Sequence, residues 1–214
     1  MASAAHILAV GDLHGHYGLL RKVCGEVLPA QPAGTRLVFL GDYIDRGPDS
    51  RLILEALMAC QAQRPETVLL MGNHERMLLD AMRGHRTELF LANGGWETLR
   101  SFGLTLETLH QLPEPYLEFL RSLPLYHETE DYIFVHAGLK PGLPLASQQE
   151  RDLLWIRDEF IYSRWDFGKT VVFGHTPFAQ PLEQPGLIGI DTGAGFGLRL
   201  TCLKLPEKEF ITVT

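Results

Sequence analysis

Cysteine is sparse in this chain: Cys24, Cys60 and Cys202 are odd in number, far apart and set in apolar stretches. That excludes a disulfide framework or a cysteine zinc site, and it reads as three buried, reduced thiols of an intracellular protein. Clustered positive charge is also missing. Nineteen Lys and Arg against 26 Asp and Glu give a net charge of −7, with no basic block or stripe. Sequence-independent nucleic-acid binding neutralises many phosphates at once, so no nucleic-acid partner is expected, although one phosphate in a local pocket remains compatible. No apolar run approaches the ~20 residues that cross a bilayer. The N-terminus "MASAAHILAVGD" has no basic stretch followed by a long apolar one, so neither a secretory leader nor a membrane partner is expected, and the location is cytoplasmic. Low-complexity tracts and linkers are absent too, which argues for one domain over residues 1–214. A chain of this length removes roughly 70% of its unfolded surface from water and needs no staple to fold.

What is present is one grammar used three times. "HILAV" runs into "GDLHGH", "RLVFL" into "GDYIDRGPDS", and "TVLLM" into "GNHE", each followed by an amphipathic segment. In the first such segment Leu19, Leu20, Val23 and Val27 share a helical face; the third, "RMLLDAMRG", stops at Gly84, a suitable C′ residue. Short apolar runs alternating with helices predict a βαβαβ scaffold, an α/β fold with a largely parallel sheet buried on both faces. Residues 86–123 read as mostly helical, with Pro115 at a first helical position. "LPLYHE" and "DYIFVHAG" predict a hairpin turning near Glu130 and Asp131. "QQERDLLWIRDEFIYSRW" predicts a helix. The tail reads as strands, with the final turn at "PEKE", 206–209.

Ligands of open α/β sheets bind at the carboxyl ends of the strands, and there the polar residues gather. Asp12 and His14 follow the first strand, Asp42 and Asp45 the second, Asn73 and His74 the third. His136 follows "YIFV" and His175 follows "TVVFG". Singly, each fits an ordinary structural role: Asn73 as a helix cap, Asp45 as turn chemistry, a lone histidine as a hydrogen-bonded core residue. Five in one structural context do not. Imidazole and carboxylate donors without thiolate suit Mn²⁺, Fe or Zn²⁺. Six such donors exceed the three protein ligands of a single catalytic zinc. Two divalent ions sharing a carboxylate, most plainly Mn²⁺, account for the surplus, and such a pair holds a phosphoryl group and lowers the pKa of a water. Asp42 would bridge them. Arg46 would fork onto phosphoryl oxygens, which guanidinium matches bidentately. Asp45, turned away, would orient a protonated His74 that gives its proton to the leaving oxygen.

With these residues the sequence resembles the phosphoprotein phosphatase family of metallophosphoesterases. Its signatures GDxHG, GDxxDRG and GNHE appear as residues 11–15, 41–47 and 72–75, and its later pieces as "HAG" (136–138) and "GHT" (174–176). "LLWIR" is similar to the segment carrying the family's second phosphate-binding arginine, which maps onto Arg157. The resemblance implies a β-sandwich core with flanking helices. It implies one metal held by Asp12, His14 and Asp42, and another by Asp42, Asn73, His136 and His175. Arg46, Asn73, His74 and Arg157 would contact the phosphoryl group, and a metal-bridging water or hydroxide would attack in line without a phosphoenzyme. Chain length, "NGGWETL" and "DTGAGFGLRLTCL" resemble the small bacterial and phage members. The longer C-terminal segment of eukaryotic members, with its active-site tyrosine, has no counterpart; Phe196 lies in roughly that region.

The implied activity is a serine/threonine protein phosphatase, extending to phosphotyrosine and small phosphomonoesters. The alternative is hydrolysis of dinucleoside polyphosphates such as diadenosine tetraphosphate, ranked second because no adenine-clamping insertion is evident. An inactive phosphate-binding adaptor ranks below both, since neither a ligand nor Arg46 nor His74 is missing. His6, His16, His85, His110 and His127 are left outside the site. Trp96 with Asn93, Gly94 and Gly95 offers two readings, a frame for the site's rim and an ordinary buried tryptophan between helices, of which the second ranks first; Trp155 reads as core packing that positions Arg157.

Overall fold

The computed structural model describes residues 6–214, so the reading of the first five residues as lacking a leader lies outside it. Among these residues ten strands form two five-stranded sheets. In the first sheet β1 (Ile7–Val10), β2 (Arg36–Phe39) and β3 (Val68–Leu69) run parallel, and β9 (Leu200–Leu205) and β10 (Glu209–Val213) add antiparallel on the β1 side. In the second, β5 (Tyr132–Val135), β6 (Thr170–Phe173) and β8 (Leu187–Gly189) run parallel, edged by antiparallel β4 (Tyr126–Glu128) and β7 (Leu182–Gln184). The hairpin at Glu130–Asp131 and the turn at 206–209 fall where the sequence places them.

Side-chain alternation explains why the sheets stack. Ile7 and Ala9 of β1 face inward with Val38, Phe134, Val172, Ile188 and Leu203, filling the space between the sheets. Leu8 and Val10 face outward, with Leu37 and Phe39, against the helical layer. Ile133, Val135, Val171 and Phe173 form the outer face of the second sheet. Every central strand is therefore apolar on both faces, and burying each such Leu, Val or Ile contributes roughly 1.5–3 kcal/mol. The result is a four-layer α/β/β/α sandwich, as the resemblance implied.

Most of the helices lie over the first sheet. They are α1 (Tyr17–Lys22), continued by widened and tight turns to Ala30, α2 (Ser50–Gln63), α3 (Asn73–Met82), α4 (Thr87–Phe90), α5 (Trp96–Ser101) and α6 (Glu114–Ser122). Gly84 ends the α3 turn with φ +74 and its N–H on Ala81 O, the expected C′ geometry. Pro115 sits at the second helical position, one residue later than expected, because Glu114 opens α6.

The second sheet is covered by α7 (Glu150–Trp155) and α8 (Asp158–Ile161). The single helix expected for 148–165 is broken between them. Ile156 is extended and Arg157 takes φ −135, ψ −101. Ile156 is buried against the sheet, and the break turns Arg157 out of the helix. The cysteines also depart from expectation: Cys202 is buried, Cys60 half-buried and Cys24 exposed, all three free. No helix among the described residues is long and apolar enough to cross a membrane.

Candidate metal centre and active site

The parallel strands of both sheets end at one place. β1 delivers Asp12 and His14, β2 delivers Asp42, Asp45 and Arg46, and α3 opens after β3 with Asn73 and His74; from the second sheet, His136 follows β5 and His175 follows β6. Asp12, His14, Asp42, Asp45, Asn73, His74, His136 and His175 are all buried. Holding so many polar side chains at one point distorts the backbone. His14, Asp42, Asp45, Arg46 and His175 all have φ between 45° and 70°, a region costly for non-glycine residues and concentrated at functional sites. Two glycines are required by close approach. A Cβ at Gly72 would strike Asp42 Oδ1, and one at Gly174 would strike Asp12 Oδ1.

Asp42 is the hub. Its carboxylate lies 3.3 Å from His14 Nε2, 3.4 Å from His136 Nε2 and 3.8 Å from His74 Nε2, and it accepts the backbone N–H of His74 at 3.1 Å. Burial opposes its charge, but His136, His74, His14 and His175 outweigh that and hold its pKa below the usual carboxylate range. Two buried groups share it: Asp42 with His136 and His175, and Asp42 with His14 and His74, the donor atoms of each group within 4.8 Å of one another. The second grouping contains His74 where the resemblance implied Asp12. Asp12 is nevertheless adjacent: its Oδ2 accepts the N–H of His175 at 3.0 Å, while Oδ1 is buried and unpartnered.

The donor chemistry suits cations. His136 Nδ1 donates to Leu40 O at 2.8 Å, which leaves Nε2 facing Asn73 Oδ1 at 2.8 Å and Asp42 Oδ1 at 3.4 Å. Three lone-pair-bearing atoms converging without a proton among them are relieved by a positive ion. His14 Nδ1 likewise donates to Ile44 O and turns Nε2 inward, and His175 Nε2 is buried without a partner. Burial lowers the pKa of His14 and His136 and takes His175 to about 2, which keeps these imidazoles neutral, the form that binds metal. One cation already uses two of the lone pairs: Arg46 donates to His14 Nε2 at 2.8 Å and to His74 Nε2 at 3.2 Å. These residues therefore fit a pair of divalent ions.

Asp45 faces away from the hub. Its Oδ2 accepts from His74 Nδ1 at 2.7 Å and its Oδ1 from Thr98 Oγ1 at 2.5 Å, while its N–H donates to Thr98 Oγ1 and Ser50 Oγ. Burial would lower the His74 pKa, but Asp42 and then Asp45 overcome it and raise it above the ordinary value. Arg157 Nη1 is anchored on His175 O and Thr176 Oγ1 at the other side of the site. Phe196 caps Arg46, its ring centroid 4.7 Å from Cζ, and is itself exposed.

Three contributors went unread in the sequence. Glu75 accepts four backbone N–H groups, those of Gly72, Asp42, Tyr43 and Ile44, and so pins the Asp42 turn onto the start of α3. Thr98 holds Asp45 across 53 positions of sequence, which no local signal announces. Asp191 follows β8 in the same strand-end position as the other acids; it is buried, and its pKa is pushed up to about 6 by burial and further by Asp42. The strand-end grammar would have found it. Trp96 corrects an expectation: it is half exposed, and Gly94 O beside it accepts the Arg46 N–H, so "NGGW" frames the rim of the site. Trp155 packs edge-on to His175 at 6.0 Å, but it also lines an open cavity and is not core alone.

The family model described as calcineurin-like phosphoesterase matches residues 5–198. The chain belongs to this family. Membership makes it a phosphoester hydrolase and gives the clustered donors their purpose. The chain is similar to serine/threonine-protein phosphatase 1 of Salmonella typhimurium, 33% identical over 94% of this chain and 92% of that one. It is also similar to the asymmetrical bis(5'-nucleosyl)-tetraphosphatase PrpE of Anoxybacillus flavithermus, 27% identical over 95% and 92%. Among solved structures, a cold-active protein tyrosine phosphatase superposes with a TM-score of 0.71 at 18% identity, covering 98% of this chain and 79% of that one, a likeness of fold.

Proposed function

We propose that this calcineurin-like phosphoesterase is a phosphomonoesterase acting on phosphoserine and phosphothreonine of proteins, with phosphotyrosine and small phosphomonoesters as secondary substrates. The observation that carries the reading is the buried Asp45–His74 pair at 2.7 Å, set beside the Arg46 guanidinium and the Asp42 carboxylate. One metal would be held by Asp12, His14 and Asp42, the other by Asp42, Asn73, His136 and His175; Mn²⁺, Fe and Zn²⁺ all suit the donors. Two such ions supply charge neutralisation for the phosphoryl oxygens and a lowered pKa for attacking water.

The chain's own groups do the rest. Arg46 turns from the histidine lone pairs to the phosphoryl oxygens, and Arg157, fixed on His175 O, grips from the opposite side. Release of Arg46 frees His74 Nε2 to carry a proton, while its Nδ1–H stays on Asp45. That Nε2 proton passes to the ester oxygen as the P–O bond breaks, and it matters most for alkoxides such as serine, which leave poorly without it. The 33% identity to a serine/threonine phosphatase supports the protein substrate.

The similarity to PrpE supports a second reading, cleavage of dinucleoside tetraphosphates at the same centre. Rates on a phosphoserine peptide, a phosphotyrosine peptide and diadenosine tetraphosphate, measured side by side with Mn²⁺, separate the two. The proposal expects the highest kcat/KM on the phosphoserine peptide; a clear excess on the tetraphosphate overturns it.

A further inference from the structure

A cavity of about 1150 Å³ opens between α3, the turn into α4, and α7. It lies beyond the metal donors but shares their helices. α3 carries Asn73 and His74 in its first turn and Arg76 and Asp80 further along, and α7 ends in Trp155, two residues before Arg157. Trp155 forms one wall and meets the His175 ring at 6.0 Å.

The charges in the cavity are unequal. Arg76 is satisfied by Asp80 at 3.1 Å and Glu150 at 3.3 Å. Arg86 and Arg151, both exposed, form no ion pair among the described residues. Three arginines against two carboxylates leave a single net positive charge in the lining of a protein that carries −7 overall. Leu89 and Trp155 supply apolar surface beside them.

We propose that this cavity is a specificity subsite for the flank of a phosphopeptide, and that Arg86 and Arg151 select acidic residues two or three positions from the phosphoresidue. The inference rests on the protein-phosphatase reading. An extended peptide advances ~3.3–3.6 Å per residue, so two or three residues span roughly 7–10 Å, comparable with the roughly 9 Å of helix rise between His74 and Asp80 on the cavity wall. Two free guanidinium forks match one or two carboxylates. The remaining phosphates of a tetraphosphate would bring more negative charge than this lining compensates, with Glu150 and Asp80 alongside. Rim charges of this kind set specificity and rate of encounter more than total affinity.

The test compares kcat/KM on phosphoserine peptides with Asp/Glu, Ala or Lys flanks on either side, using Mn²⁺-loaded wild type and the variants R86Q, R151Q and R86Q/R151Q. p-Nitrophenyl phosphate, too short to reach the cavity from the phosphoryl site, serves as reference. Wild type should prefer an acidic flank about 5–10-fold over Ala. The double variant should lose that preference with its p-nitrophenyl phosphate rate unchanged, and R151E should favour the Lys-flanked peptide. Phosphopeptide hydrolysis without flank preference, or a preference that survives R86Q/R151Q, overturns the subsite and leaves the phosphatase reading intact. Turnover of p-nitrophenyl phosphate with no phosphopeptide turnover overturns both. A loss confined to diadenosine tetraphosphate in the double variant reassigns the cavity to polyphosphate.

Discussion

Asp45→Asn isolates the role of one charge. The carboxylate is fully buried, accepting from His74 Nδ1 at 2.7 Å and Thr98 Oγ1 at 2.5 Å. Asparagine keeps the volume, and its carbonyl still accepts from His74, while its amide turns to Thr98, whose hydroxyl accepts as well as donates. The fold and the metal donors should therefore persist, and only the negative charge disappears. A unit charge at about 4 Å is worth roughly 4 kcal/mol at an effective dielectric near 20, and 1.36 kcal/mol corresponds to one pKa unit. Burial, the first influence on His74, is then opposed by Asp42 alone. The acid must be protonated to work, so activity falls as pH rises through its pKa. In Asp45→Asn that alkaline limb should lie roughly two to three pH units below its wild-type position. At neutral pH the variant should lose roughly 10–100-fold in kcat on phosphoserine, part of the ~10²–10⁴-fold usual for general acids. On p-nitrophenyl phosphate, whose phenolate leaves unaided, the loss should be small. The measurement is a pH–rate profile on both substrates. An unmoved alkaline limb, or equal losses on the two, would refute the assignment of His74 and Asp45.

His74→Asn should retain metal, measured by elemental analysis, and lose turnover chiefly on poor leaving groups; equal loss on all esters argues against an acid role. Asp42→Asn should weaken metal binding by at least tenfold in a calorimetric titration, because both candidate donor groups share this carboxylate. Chelators should abolish p-nitrophenyl phosphate hydrolysis by Mn²⁺-loaded wild type, and re-added Mn²⁺ should restore it. Glu75→Gln places an amide donor against two of four backbone donors. At roughly 1–3 kcal/mol for each buried donor left unsatisfied, the cost is about 3 kcal/mol, or a drop of roughly 6–12 °C in Tm; an unchanged melt would show that the turn does not need this clasp.

The strand–turn–helix rhythm was legible because a buried strand of four or five apolar residues seldom runs straight into charge unless a ligand meets it there. Asp12, Asp42, Asn73, His136 and His175 were found from their place at strand ends, and the structure brings them together. The Asp45–His74 contact could be read too, since its partners lie in adjacent motifs. Long-range, side-chain-specific partners could not: nothing local to Thr98 points to Asp45. The break at Arg157 was hidden because "LLWIRDEF" has helical periodicity on both sides, and the extended Ile156 is imposed by burial against the second sheet. Cys24 illustrates the opposite error, for apolar neighbours in sequence do not bury a residue on the outer side of a helix.

The donors come from two separate sheets. Asp12, His14, Asp42 and Asn73 belong to one, His136 and His175 to the other; an apolar interior lies between the sheets, and at the site itself a few hydrogen bonds, such as His136 to Leu40 O and the His175 N–H to Asp12, join them. Ions caught between these sets would rivet the halves of the sandwich together, and an unfolded chain offers no equivalent purchase. Occupancy should therefore register as thermal resistance, the melting point climbing with the logarithm of free metal concentration, so that scarcity of the ion loosens the whole scaffold as well as silencing it.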